Sequence, residues 1–292
     1  MTLRLGIDIG GTKIAVAGDR NAEQLFKARF ALEESGSGLD VLAALRSYLD
    51  RQCRRHGLPD NLVVASAPNI DSQGRISRWP NRPSWEGVSI ARMLAPFARR
   101  HLFCCDDGTA ATVADAWSLE APDLAHFSLG TGVGGGVCFE GRLLRDRELG
   151  HLLVYPGGLP CSCGRRGCLQ PYASGRALTA LRREFGVEEG SQRWIVTASE
   201  ALAACSANLI RLFGITRITL SGAAAFQCPA LPAEIGTVLR SKWLDDADPS
   251  PAIQLSPSGS NASLQGALAL SGAGEEALKA VCRPLPLVAD LM

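Results

Sequence analysis

Apolar positions open the chain as a short strand, Leu3-Arg4-Leu5-Gly6-Ile7-Asp8-Ile9, which Gly10-Gly11-Thr12-Lys13 interrupts and Ile14 to Val16 resume. Strand, glycine turn and strand predict a hairpin whose turn leaves backbone N–H groups free. The same order recurs at His126 to Leu129, Gly130-Thr131-Gly132-Val133-Gly134-Gly135-Gly136 and Val137 to Phe139. Two such hairpins predict two related α/β halves, each presenting a glycine turn that a ligand can approach closely. Between them the pattern predicts a helix at Val41 to Arg55, a strand at Leu62 to Ser66, a loop from Pro68 to Gly87, a helix at Val88 to Arg100 and a strand at His101 to Cys105. Further on, helices are expected over Ala173 to Arg183, Thr197 to Phe213 and Ser263 to Leu270, with a strand at Arg217 to Leu220 running into Ser221-Gly222-Ala223. Alternating helices and strands make this an α/β chain.

Composition narrows the class. A chain of 292 residues has room for two cores, and 46% hydrophobic with 20% charged residues argues against disorder, so a globular protein is expected. A formal charge of +1 supplies no basic field for nucleic acid. The pairs Arg54-Arg55 and Arg99-Arg100 read as solvated helix faces. No leader pattern precedes the first strand, and no apolar run looks long enough to span a bilayer, so neither nucleic acid nor membrane is expected as a partner.

The cysteines carry the sharpest signal. His151, Cys161, Cys163 and Cys168 form an H-x9-C-x-C-x4-C set, one imidazole and three thiols, which suits tetrahedral Zn²⁺. A complete set leaves no place for water, so the metal is expected to be structural and a zinc hydrolase is disfavoured. Disulfides or thiols that merely lie together are the alternatives. The other cysteines, Cys53, Cys104, Cys105, Cys138, Cys205, Cys228 and Cys282, read as small core hydrophobes. Thiols kept reduced for zinc point to the cytoplasm. Gly10, Gly11, Thr12 and Lys13 offer phosphate N–H groups, a hydroxyl and an ammonium, and Gly130, Thr131 and Gly132 offer a second clamp. Asp8 would repel phosphate unless Mg²⁺ stood between them through water; its other reading is an Asx-type turn residue.

These motifs resemble the ROK family of sugar kinases and repressors within the actin-like ATPase superfamily. The matching pieces are Leu5 to Lys13, Asp106-Asp107-Gly108-Thr109-Ala110-Ala111, Leu129 to Gly136, Glu148-Leu149-Gly150-His151 and the loop from Cys161 to Gln170, with Ser221-Gly222-Ala223 a weaker match. The resemblance implies a two-lobed actin-like ATPase (ribonuclease H-like) α/β fold with a zinc loop, ATP and sugar in the cleft between lobes, and commonly a homodimer. An N-terminal lobe of residues 1–105, joined by a tail from about 275 to 292, and a C-terminal lobe of residues 106–274 with the zinc loop and dimer surface are expected. Repressors of the family carry an additional N-terminal helix-turn-helix, for which this sequence leaves no room.

The resemblance also implies roles. Asp107 matches the catalytic aspartate, its other reading being a helix cap. Asn81, Asp106, Glu148, His151 and Gln170 fall at sugar-contacting positions; Gly222 and Ala223 join Asp8, Gly10, Gly11, Thr12, Lys13, Gly130, Thr131 and Gly132 at nucleotide positions. The expected activity is transfer of phosphate from ATP, with Mg²⁺, to a hexose or amino-hexose hydroxyl, the 6-OH. A non-catalytic sugar-binding regulator is the alternative. Departures from the family bear on the substrate: Asp106 replaces an Asn, Gln170 a Glu and Ser84 a Gly, and the segment from Leu144 to Glu148 is short. An ionised Asp only accepts hydrogen bonds and suits an ammonium, which points to an amino sugar such as kanosamine (3-amino-3-deoxyglucose); the competing reading makes Asp106 a helix-capping carboxylate facing away from the sugar, with glucose as the substrate.

Overall fold

The first strand is buried along almost its whole length because it lies inside a sheet rather than at its edge. The computed structural model describes residues 2–32, 38–79, 82–144, 148–245 and 247–287. Its strands are β1 (Arg4–Ile9), β2 (Lys13–Arg20), β3 (Glu23–Ala31), β4 (Asn61–Ser66), β5 (Asn69–Ile70), β6 (Ile76–Arg78), β7 (His101–Asp106), β8 (Leu124–Leu129), β9 (Val133–Phe139), β10 (Arg142–Leu143), β11 (Arg217–Ser221), β12 (Ala252–Leu255) and β13 (Arg283–Leu285). The helices are α1 (Leu39–His56), α2 (Ile90–Leu94), α3 (Asp107–Ser118), α4 (Gln170–Ala173), α5 (Gly175–Phe185), α6 (Val187–Phe213), α7 (Ala223–Gln227), α8 (Leu231–Val238), α9 (Ala262–Ser271) and α10 (Glu275–Val281).

Two compact units result, one of Met1–Ala110 with Ser263–Met292 and one of Ala111–Ala262. In the first, the sheet runs β13-β7-β4-β1-β2-β3; β1, β2 and β3 are antiparallel neighbours, while β4 and β7 lie parallel to β1. In the second, the order β10-β9-β8-β11-β12 repeats that plan, with β8, β9 and β10 antiparallel and β11 and β12 parallel to β8. The duplication expected from the two glycine hairpins is thus present in the sheets.

The units divide at different residues from those expected, after Ala110 rather than before Asp106, and the return comes at Ser263 rather than near 275. Helix α9 explains the earlier return. Leu264 packs with Ala15 and Ala17 of β2, and Gly6 of β1 lies directly under the helix backbone. A Cβ on Gly6 would stand 2.5 Å from the Leu268 nitrogen. Gly6→Ala is therefore expected to destabilise the protein by about 1–3 kcal/mol, as overpacking against backbone does. A thermal melt unchanged by the substitution would contradict this packing.

Several elements correct the sequence reading. The helix expected to reach Arg100 stops at Leu94 and continues only as a tight turn, Ala95–Phe97, because Pro96 cannot sustain it. β3 escaped notice because an edge strand exposes polar residues along most of its length. Helix α6 begins ten residues before the expected Thr197, and its 27 residues contain a window long and apolar enough to cross a membrane, with a mean hydropathy of 1.2. That corrects the expectation that no run reaches this length. The reason is burial: 61% of that window lies inside the protein, and Trp194, Ala198, Ala201, Leu202, Cys205 and Leu209 belong to the second unit's core.

Candidate functional site

In the first unit, β1 and β7 run parallel on either side of β4, so their C-terminal ends share one edge of the sheet, where ligands of parallel sheets gather. Register places Asp8 beside Ala65, and Ala65 beside Cys105, one residue before Asp106. Asp106 closes β7 and Asp107 opens α3. Asp8 is buried, and loss of solvent pushes its carboxyl up to about 6 against the opposing pull of a hydrogen bond from Ser263 and the charge of Lys13. Asp107 is half-buried. Desolvation first, then the charges of Asp106 and Asp8, push it up to about 7. A carboxyl titrating there can both take and release a proton near neutrality.

Asp106 is an N-cap. Its Oδ1 accepts from the Thr109 amide at 2.7 Å, and its Oδ2 accepts from the Thr109 hydroxyl. Capping, the alternative reading of both Asp107 and Asp106, falls to Asp106, which still faces solvent. The glycine turn between β1 and β2 is closed by the Gly10 amide donating to the Lys13 carbonyl at 3.0 Å, and nothing stands within 4 Å of where a Cβ on Gly11 would lie. Arg82, which the sequence reading passed over, braces this turn: Nε donates to the Gly11 carbonyl at 3.2 Å and Nη2 to the Leu32 carbonyl at 2.8 Å. Its neighbour Asn81 lies outside the described residues.

In the second unit, the turn of Gly130, Thr131 and Gly132 follows β8, and Gly222-Ala223 follows the parallel strand β11. The two turns adjoin. Gly222 has φ 89°, and a Cβ there would stand 2.4 Å from the Leu129 carbonyl, so both its conformation and its neighbour require glycine. The Gly175 amide, at the start of α5, donates to the Gly130 carbonyl at 2.7 Å.

The Cys/His set comes together as expected. Cys161 Sγ lies 3.4 Å from His151 Nδ1, Cys163 Sγ lies 3.7 Å from Cys168 Sγ, and all four ligand atoms fall within 4.8 Å of one another. Tetrahedral Zn–S bonds of about 2.3 Å put sulfurs about 3.8 Å apart, so the spacing fits the ion. All ten cysteines are free, which removes the disulfide alternative. Glu148 is exposed, and its carbonyl accepts from the His151 amide at 2.9 Å. Gln170 is used by the protein itself: Oε1 accepts from the Val133 amide at 3.2 Å, and Nε2 donates to Ser162 Oγ, between two of the thiols, at 3.1 Å. It ties the glycine turn to the cysteine loop.

A family model described as ROK family matches residues 4–273. The kanosamine kinase of Amycolatopsis mediterranei is 32% identical over 291 residues, covering 92% of this chain and 95% of that protein. The glucokinase of Thermotoga maritima is 32% identical over 191 residues, 62% of this chain and 60% of that protein. Among solved structures, the ROK hexokinase from Thermus thermophilus superimposes with a TM-score of 0.75 at 28% identity, covering 91% of this chain and 96% of that one.

Proposed function

The chain belongs to the ROK family, and we propose that it is an ATP-dependent kinase acting on a hexose or amino-hexose, with the sugar 6-OH as acceptor. The observation that carries this reading is Asp107, a half-buried carboxyl at the head of α3 that burial and the charges of Asp106 and Asp8 push up to about 7. Phosphoryl transfer consists mostly of positioning and charge neutralisation, with one group needed to take the proton from the attacking hydroxyl. Asp107 is that group.

Gly10, Gly11, Thr12 and Lys13 serve the phosphates, and Asp8 serves Mg²⁺ through water as its ionised carboxylate, the form that burial disfavours and a nearby cation restores. Gly130, Thr131 and Gly132, together with Gly222 and Ala223, serve the nucleotide. Mg²⁺ neutralises phosphate charge when bound. Glu148, His151 and Asn81 meet the sugar, and Gln170 serves it by holding the cysteine loop to the glycine turn. Structural Zn²⁺ held by His151, Cys161, Cys163 and Cys168 fastens that loop. The protein acts in the cytoplasm as a homodimer.

Among sugars, an amino-hexose of the kanosamine type is the proposed substrate. A relative named kanosamine kinase covers nearly the whole chain, and Asp106, exposed at the end of β7, is a carboxylate that in its ionised form only accepts hydrogen bonds and so suits an ammonium better than a hydroxyl. A charge-assisted bond of about 1.5–3 kcal/mol makes Asp106→Asn shift the catalytic efficiency ratio from kanosamine toward glucose by roughly tenfold to a hundredfold. Kinetics of both proteins on both sugars test this. An unchanged ratio leaves Asp106 a cap alone and returns glucose as substrate.

A further inference from the structure

Five polar side chains form a closed network inside the second unit: Asp115 of α3, His126 of β8, Thr219 and Ser221 of β11, and Ser256 just beyond β12. Asp115, His126 and Thr219 are 0% exposed, and Ser221 and Ser256 are 4% and 6%. His126 Nδ1 lies 2.9 Å from Asp115 Oδ2 and 2.9 Å from Thr219 Oγ1; its Nε2 lies 2.8 Å from Ser221 Oγ. Ser256 donates to Asp115 Oδ1 at 2.7 Å. Burial pushes the Asp115 carboxyl up, but the hydrogen bonds and charge of His126, with those from Ser256 and Thr219, outweigh it and hold the group below the usual carboxylate value. An ionised Asp115 makes Nδ1 the donor, which fixes the ring and leaves Nε2 for Ser221.

Such a cluster in a sheet interior is expensive to desolvate, and an apolar filling would serve packing as well. Its position gives it a use. Thr219 and His126 are register partners across the parallel pair, and Ser221, two residues on, shares the Thr219 face. Ser221 is the last residue of β11, followed at once by Gly222 and α7. The Gly222 backbone passes so close to Leu129, the residue before the other glycine turn, that a Cβ there would stand 2.4 Å from its carbonyl oxygen. The imidazole therefore ties β8 to the end of β11 where the two turns leave their strands.

We propose that His126 is a positioning residue for nucleotide binding: it holds the Ser221 hydroxyl and, through it, fixes the Gly222-Ala223 backbone against the Gly130 turn, with Asp115 orienting the ring. The ligand class, an adenine nucleotide, rests on the kinase reading; the positioning role rests on the network. Because the imidazole meets Ser221 at the end of β11, directly before Gly222, its loss should act on nucleotide affinity far more than on sugar affinity.

The test is calorimetric titration of ATP with Mg²⁺, and of kanosamine and glucose separately, into wild type, Ser221→Ala, His126→Gln and the double variant. Each single variant is expected to weaken ATP binding roughly tenfold, the scale of one buried hydrogen bond left unmade, with sugar affinity changed less than about twofold. The double variant should lose no more than the worse single one, because His126 acts through Ser221. Should His126→Gln fail to fold, Ser221→Ala, which removes only a hydroxyl, carries the test alone. A lowered melting temperature with unchanged ATP affinity would show a purely structural network and overturn the inference. Nucleotide binding without sugar-dependent turnover would instead overturn the kinase reading and leave the positioning role standing.

Discussion

Asp107→Asn is expected to lower turnover by about 10²–10⁴-fold, the range for removing a general base, while sugar binding persists. The substitution keeps side-chain volume and most hydrogen-bonding capacity but removes the proton acceptor. Wild-type kcat/KM should also follow the base. With the Asp107 carboxyl pushed up to about 7, the active, ionised form gains population as pH rises through that value, so kcat/KM climbs across it and levels off above. The sign for stability is opposite. The folded state holds a proton that the unfolded chain releases near 4, so Asp107 favours folding below that pH and its contribution is lost as pH rises toward about 7. Turnover by the Asn variant within a few-fold of wild type would remove Asp107 from catalysis.

The second large effect concerns the metal. Protein purified without chelator should carry about one zinc per chain, as a closed four-ligand set does. Complete sets of this kind bind with about 10–16 kcal/mol, so one lost ligand is worth roughly 3 kcal/mol, or on the order of 10²-fold in affinity. Cys163→Ser should accordingly strip the metal on dialysis, because a hard hydroxyl replaces a soft thiolate. Since Ser162 beside it receives the Gln170 amide, which also holds the Val133 amide, loss of zinc should raise the KM for sugar and for ATP together. Elemental analysis of both proteins decides it. Zinc content equal in the two, or none in wild type, would dismiss the assignment.

Much of the fold was legible where local chemistry dictates it. Two glycine hairpins announced two sheets of one plan, and the spacing from His151 to Cys168 brought four ligand atoms together because the intervening loop is short. Asp107 could be placed because an apolar strand ends just before it. What stayed hidden depended on partners distant in sequence. β13 is three residues containing Pro284, tolerated because it pairs only along the sheet edge with β7, and nothing local marks it as a strand. His126 resembles any polar residue in a strand until Asp115, Thr219 and Ser221 surround it. Gln170 was expected to face sugar, and only tertiary structure shows its amide occupied on both sides.

The most direct measurement of the central claim is ADP release by the purified chain with Mg²⁺ and ATP, across kanosamine, glucose, glucosamine and N-acetylmannosamine. Sugar-dependent ADP formation that is fastest with kanosamine and lost in Asp107→Asn is the predicted result. ADP formation no greater with any of these sugars than without them, in a folded protein that still binds sugar, would contradict it and leave a sugar-binding protein without kinase activity.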